Sequence, residues 1–238
     1  MKLVTWNCNM AFRKKQDQIL RHDPDILVVQ ECENPFKKGN WQQFSDFCWL
    51  GENPNKGLGI FVRNGLRLQA LQGVSSCPCR YALLAHVRGR GKNVRLLGIW
   101  AMDEPQDARR RYIAQVYCAL RHYRPYLWPN SIVMGDFNGN AIWDERSYPK
   151  LYGNFTETAA LLNEMGLTSA YHSLRGCSFG EEAEPTMFLL KQKKRPYHLD
   201  YIFLPKQWLA GAADFWLGSY EEWIKFSDHV PLFLQLKC

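Results

Sequence analysis

The sequence predicts a mixed α/β fold in one domain, and three observations carry that prediction. Short, fully apolar runs at residues 25–30 and 131–136 end in polar turns, as buried strands do. A helical period separates residues 2–6 from residues 25–30, which is the pattern of a helix crossing between two strands. Closely spaced strand patterns with Asn64-Gly65 between two of them point to antiparallel hairpins, which argues against an all-parallel sheet. With 238 residues, 46% of them hydrophobic, the chain can bury one large core. Nothing in it demands a second unit, so residues 1–238 are read as a single domain.

Residues 2–6 read as the first strand, ending in the polar turn Trp6-Asn7-Cys8-Asn9. Residues 12–22 place Phe12, Ile19 and Leu20 on one side and Arg13, Lys14 and Gln18 on the other, an amphipathic helix that Asp23-Pro24 stops. Residues 25–30 form the second strand, with Glu31 directly after it. Strands are then expected at 46–50, 58–63 and 66–72, the last two joined by the Asn64-Gly65 hairpin turn, and at 81–88 and 94–100 around the loop 89–93. Residues 103–123 read as one long helix opened by acidic residues and Pro105.

The central stretch is 131–140. Ile132, Val133 and Met134 suit a sheet centre, and Gly135 lets the backbone approach a neighbour. Asp136 and Asn138, two residues apart, point to one side while Phe137 packs away; the same residues also suit a strand capped by an Asx turn. Residues 155–165 form a helix closed by Gly166, and 169–172 begin a strand or loop. Residues 173–197 are loop-like, with a basic tip at 191–195 that can reach over a site. Strands at 197–204 and 212–217 follow, and 226–236 is a polar loop entering the last strand.

Composition narrows the class. No apolar run is long enough to span a bilayer, and no apolar signal region precedes the first strand, so a cytoplasmic chain is expected to start at Met1. Eight cysteines lie scattered without zinc-finger spacing, which suits reduced thiols; Cys77-Pro78-Cys79 reads as two loop thiols rather than a strained bridge or metal site. The formal charge of +7 is bunched at Arg13 to Lys15, Arg88 to Arg95, Arg109 to Arg111 and Lys191 to Arg195. Any one cluster suits a solvated face; four together favour a polyanion such as nucleic acid.

Asn7, Glu31, Asp136 with Asn138, Asp200, and Asp228 with His229 each fall at the edge of an apolar strand. Singly, each suits a turn former or a solvated acid. In this order, Thr5-Trp-Asn7, Gln30-Glu31, Gly135-Asp-Phe-Asn138, His198-Leu-Asp-Tyr-Ile-Phe203 and Ser227-Asp-His229 resemble the endonuclease/exonuclease/phosphatase superfamily over nearly the whole chain. The resemblance implies a DNase I-like fold, an α/β four-layer sandwich in which two mixed, largely antiparallel sheets pack together with helices outside and the site at one end. It also implies a His229–Asp200 pair, with Asp200 fixing the tautomer of an imidazole that faces the scissile phosphate.

Phosphodiester hydrolysis needs a hard cation, an oriented water and donors for the charge that builds on the phosphoryl oxygens. Glu31 is the best oxygen ligand for Mg²⁺, with Mn²⁺ as an alternative, Asp228 as a second ligand and Asn7 supporting the metal shell or a phosphate oxygen. Asp136 is expected to hold and deprotonate the attacking water, and Asn138 to donate its amide to the phosphoryl group. Arg109, Arg110, Lys193, Lys194 and Arg195 are candidate contacts to successive phosphates. His198 is left without a role. Two departures from relatives stand out. Trp100 occupies the place of a phosphate-contacting His or Tyr, where it replaces the contact, stacks on a base or sugar, or packs; Asn9 stands where some relatives have a second metal-binding carboxylate.

The expected activity is that of a Mg²⁺-dependent nuclease on DNA, endo- or exonucleolytic, in a monomer with no implied protein partner. A phosphomonoesterase or a phospholipid or inositol phosphate hydrolase uses the same residues. A nucleic-acid binder without hydrolysis ranks lower, because Asp136, Asp228 and His229 are all present.

Overall fold

The computed structural model describes residues 1–71, 77, 79–127, 130–146, 149–210 and 213–237. Gln72, Pro78, Ala212 and Cys238, which enter the sequence expectations, lie outside the described residues.

Two six-stranded sheets form the body. The first is built from β1 (Lys2–Asn7), β2 (Ile26–Cys32), β3 (Asp46–Asn53), β4 (Lys56–Val62), β13 (Ala213–Leu217) and β14 (Leu232–Leu236), in the order β13-β14-β1-β2-β4-β3. The second contains β5 (Arg67–Ala70), β6 (Ala82–Gly89), β7 (Lys92–Trp100), β8 (Ser131–Asp136), β9 (Leu167–Ser169) and β12 (Asp200–Pro205), in the order β5-β6-β7-β8-β12-β9. A two-stranded ribbon, β10 (Met187–Phe188) with β11 (Pro196–Tyr197), stands apart. Only β1/β2 and β7/β8 pair in parallel; the other described pairings are antiparallel.

Strand alternation builds the layers. In β2, Ile26 and Val28 face the core between the sheets while Leu27 and Val29 face outward. In β8, Ile132 and Met134 point into that core, and Val133 points out to α2 (Ile113–Tyr123) and α3 (Phe155–Glu164). On the other outer face Val4, Trp6 and Phe61 pack on Phe12, Ile19 of α1 (Gln16–Leu20) and Trp223 of α6 (Tyr220–Trp223). Helix, sheet, sheet, helix is the four-layer order expected.

Several expectations are corrected. Asn64-Gly65 is a turn, with φ of 56° and 80°, but it does not close a hairpin. Strand β4 already has β2 on one edge and β3 on the other, so β5 has no edge to join and crosses to the second sheet, beside β6. The long helix expected at 103–123 is helical only from Ile113. Tyr112 has φ 52° and ψ −125°, outside the helical region, and the N–H of Tyr112 binds the carbonyl of Met102; before it lies only a short turn, Ala108–Arg110, capped by Asp107. The helix expected at 12–22 divides into a turn, Phe12–Lys14, and α1, with the break at Lys15. Residues 170–175 form α4 (Ala170–Arg175), capped by Ser169, where a strand or loop was expected. Among the described residues no helix is long and apolar enough to cross a membrane, and the described cysteines form no disulfide.

Candidate active site

Topology gathers the site at one end of the sandwich. Parallel pairing ends β1 and β2 together and β7 and β8 together. Antiparallel pairing brings the start of β12 to the end of β8, and the start of β14 to the end of β1. Strands β1 and β8 pack against each other across the core, so Asn7, Glu31, Trp100, Asp136, Asp200 and His229 converge.

Asp136 is fully buried and paired in register with Asp200 on one side and Trp100 on the other. Gly135 allows this, because at φ 149° an added Cβ would lie 1.9 Å from the Ile99 carbonyl oxygen. The Asn138 N–H donates to Asp136 Oδ1 at 2.9 Å, an Asx turn, and Asn138 Nδ2 lies 3.3 Å from Asp136 Oδ2 and 2.8 Å from the Ala101 carbonyl. The Asx turn is thus present, and it keeps the Asn138 amide on the Asp136 carboxylate. Phe137 packs away, against Tyr201 and Phe203.

Asn7 Nδ2 donates to Asp136 Oδ2 at 3.0 Å and lies 3.4 Å from Glu31 Oε1. Glu31 sits in a bulge of β2, at φ 59°, where the register with β4 shifts between Gln30 and Cys32; the bulge re-aims the carboxylate into the site. Its other oxygen meets Lys56 Nζ at 3.2 Å. Asp228 Oδ1 accepts from Asn9 Nδ2 at 3.1 Å.

His229 Nδ1 lies 2.8 Å from Asp200 Oδ2 and Nε2 lies 3.9 Å from Asp136 Oδ2. Burial alone would lower the pKa of this imidazole, but the charges of Asp200, Asp136 and Asp228 outweigh it and push the value up to about 10. Burial, and next the Asp200 charge, push the Asp136 carboxyl up to about 7 against the pull of His229, Asn7 and the Asn138 N–H. The ligand atoms of Asp136, Asp200 and His229 fall within 4.8 Å of one another, a spacing that could hold a metal ion. Within that group His229 Nδ1 is already turned to Asp200, and the surrounding carboxylates favour its protonated form.

The flanking basic residues stand differently. Arg109 and Arg110 pair with Asp107 and stack on Tyr152. Arg111 rather than either of them lines a cleft of about 450 Å³ beside Asn138, walled by Trp143, Met187, Tyr197 and Leu199. Lys193 pairs with Glu221, and Lys194 and Arg195 are exposed on the β10–β11 loop. His198 is buried; its Nδ1 donates to the Glu184 carbonyl, and burial lowers its pKa. Trp100 is 2% exposed and covered by Tyr81, which removes base stacking from its three readings.

Two residues, Thr186 and Glu182, escaped the sequence, and Ser227 entered it only within the motif Ser227-Asp-His229. Thr186 is fully buried and its Oγ1 accepts the N–H groups of Leu199 and Asp200, while its carbonyl accepts from Val230 N–H. Ser227 ties the Asn7 carbonyl to the His229 N–H. Glu182 accepts from Asn140, two residues past Asn138, and from His172 and Gly180. Thr186 and Glu182 lie in the loop-like stretch 173–197, away from the apolar runs whose edges marked the others.

The profile of the Endonuclease/Exonuclease/phosphatase family matches residues 4–229. The chain belongs to this family. Among solved structures, the 3′-5′ exonuclease NExo from Neisseria meningitidis is 22% identical with a TM-score of 0.70. An AP endonuclease from Archaeoglobus fulgidus is 14% identical with a TM-score of 0.72, and in both cases all of this chain and all of the other are covered. NExo from Neisseria bound to a product DNA hairpin, there described as a 3′ phosphatase, is 23% identical over both whole chains with a TM-score of 0.69. At these identities the likeness shows the fold. No curated protein sequence matches.

Proposed function

We propose that this member of the family is a Mg²⁺-dependent phosphodiesterase acting on DNA. The observation that carries the reading is the convergence of a buried carboxylate, two amide donors and an imidazole within one small volume, Asp136 with Asn7, Asn138 and His229. Asp136 takes a proton from the attacking water, which a carboxyl with a pKa near 7 can do at neutral pH. The Asn138 amide and the His229 N–H donate to the phosphoryl oxygens as their charge grows. Asp200 keeps His229 oriented through Nδ1.

Glu31 and Asp228 offer hard carboxylate oxygens at the same end of the sandwich, with Asn7 alongside, a donor set that fits Mg²⁺. Held by these residues, such an ion would offset phosphate charge. The cleft beside Asn138 joins aromatic walls to Arg111, which suits a sugar and base carried by the phosphate. A net charge of +7 favours the same partner. The NExo structure described as a 3′ phosphatase motivates a second substrate for the same residues, a phosphate monoester at a DNA end.

End-labelled DNA tests the reading, as intact, abasic, single-stranded and 3′-phosphorylated substrates with Mg²⁺ or EDTA. Asp136→Ala should lower cleavage about 10³-fold or more. Cleavage that survives EDTA or the substitution overturns the mechanism, and no reaction on any of the four overturns the DNA substrate.

A further inference from the structure

The tip of the β3–β4 hairpin hangs over the site. Lys56 pairs in register with Asn53 across that tip, where Asn53 Oδ1 accepts from Asn55 N–H and Asn34 N–H binds the Pro54 carbonyl. The hairpin end is thus pinned to the segment that follows Glu31. Lys56 Nζ lies 3.2 Å from Glu31 Oε2 and 5.2 Å from the centroid of the Trp100 ring, with 37% of its side chain exposed. Trp100 is itself the register neighbour of Asp136, and Asn7 links Glu31 to Asp136, so this partly exposed ammonium stands one side chain away from the proposed base.

The surroundings say what it is for. The site holds the carboxylates of Glu31, Asp136, Asp200 and Asp228, and among the described ion pairs only His229 and Lys56 answer any of them. Of the cations expected from the sequence, Arg109 and Arg110 are engaged on Asp107 and Lys193 on Glu221, while Lys194 and Arg195 stand exposed on the β10–β11 loop. A partly exposed Lys–Glu pair is weak and readily exchanged for a stronger anion. The indole beneath holds the ammonium in place without burying it. Trp100, enclosed by Tyr81 and Lys56, acts as the platform and not as the contact.

We propose that Lys56 is a substrate-binding residue whose ammonium contacts a phosphate oxygen of DNA at this site, with Trp100 as its positioning residue. The assignment rests on the phosphodiesterase reading above and adds a residue that no strand-edge motif contains.

The test is binding of a phosphorothioate duplex in EDTA by fluorescence anisotropy, with thermal melting as a check on folding. Lys56→Met should weaken binding about tenfold, roughly 1.4 kcal/mol, and Lys56→Arg should retain most of it. Lys206→Met, just past the end of β12 opposite Asp200, should leave it unchanged. Trp100→Leu should reproduce part of the Lys56→Met loss. Equal binding by Lys56→Met and wild type overturns the proposal, and so does an equal loss in Lys206→Met, which would mark a diffuse charge effect. Manganese affinity, read by electron paramagnetic resonance, adds a separate check: tighter Mn²⁺ binding by Lys56→Met with unchanged DNA binding makes Lys56 only the counterion of Glu31 and overturns the contact. A wild type that cleaves DNA while Lys56→Met binds normally leaves the phosphodiesterase reading standing without Lys56; a wild type that neither binds nor cleaves DNA overturns both.

Discussion

Gly135 shows how much one residue can decide. Its φ of 149° and the Ile99 carbonyl 1.9 Å from where a Cβ would be leave no room for a side chain. Gly135→Ala must therefore move β7 away from β8 or distort the turn that aims Asp136. A loss of about 3 kcal/mol or more is expected in urea unfolding. Thr186 acts at a distance from the chemistry, because its hydroxyl holds the N–H groups of Leu199 and Asp200. Thr186→Val leaves two buried donors without an acceptor and should cost about 2–3 kcal/mol.

Glu182 gives a prediction in pH. Burial, the largest influence on it, would raise its pKa, yet hydrogen bonds from His172, Asn140 and the Gly180 N–H outweigh burial and hold the carboxyl at about 2. The unfolded value is about 4.3. A carboxyl depressed on folding stabilises the fold fully above the unfolded value and loses that contribution as pH falls towards 2. Thermal melts of wild type and Glu182→Gln should differ most above about pH 5 and converge below it; a gap independent of pH from 7 to 3 would refute the account.

At the scale of elements, the bulge in β2 and the break before α2 do what regular structure would not. Without the shift between Gln30 and Cys32, strict alternation would turn Glu31 to the opposite face of the sheet from Gln30. The break at Tyr112 places that residue at φ 52°, ψ −125° on the lip of the cleft. Such a conformation is strained for any residue with a Cβ. Tyr112→Gly should relieve it and raise stability by about 1 kcal/mol, measured as a higher midpoint in urea. The hairpin signal at Asn64-Gly65 was correct about the turn and wrong about its partners, because pairing is decided by which edges are already filled.

At the scale of the whole molecule, sandwich topology is the reason six strand ends meet. The same end carries the cleft and the β3–β4 tip, while the net charge of +7 is spread over several exposed clusters. DNA binding should therefore be strongly electrostatic. If about four phosphates are neutralised, affinity should fall roughly a hundredfold between 50 and 200 mM salt. Anisotropy titrations at three salt concentrations give the slope, and a flat response would remove charge as the driving force.

The amino-acid sequence by itself determined the strands of the central layers, since apolar runs that end in polar turns have few other folded states. It also put Asn7, Glu31, Asp136, Asn138, Asp200, Asp228 and His229 at strand ends, and their order, by its resemblance to the family, made them candidates. Only the tertiary structure decided which strands pair, that Asp136 is buried beside Asp200 and His229, and that Lys56 lies on Glu31 and Trp100. Those facts come from residues far apart in the chain. Their contacts depend on filled edges, a bulge and a left-handed turn, and none of these leaves a periodic trace in the order of residues.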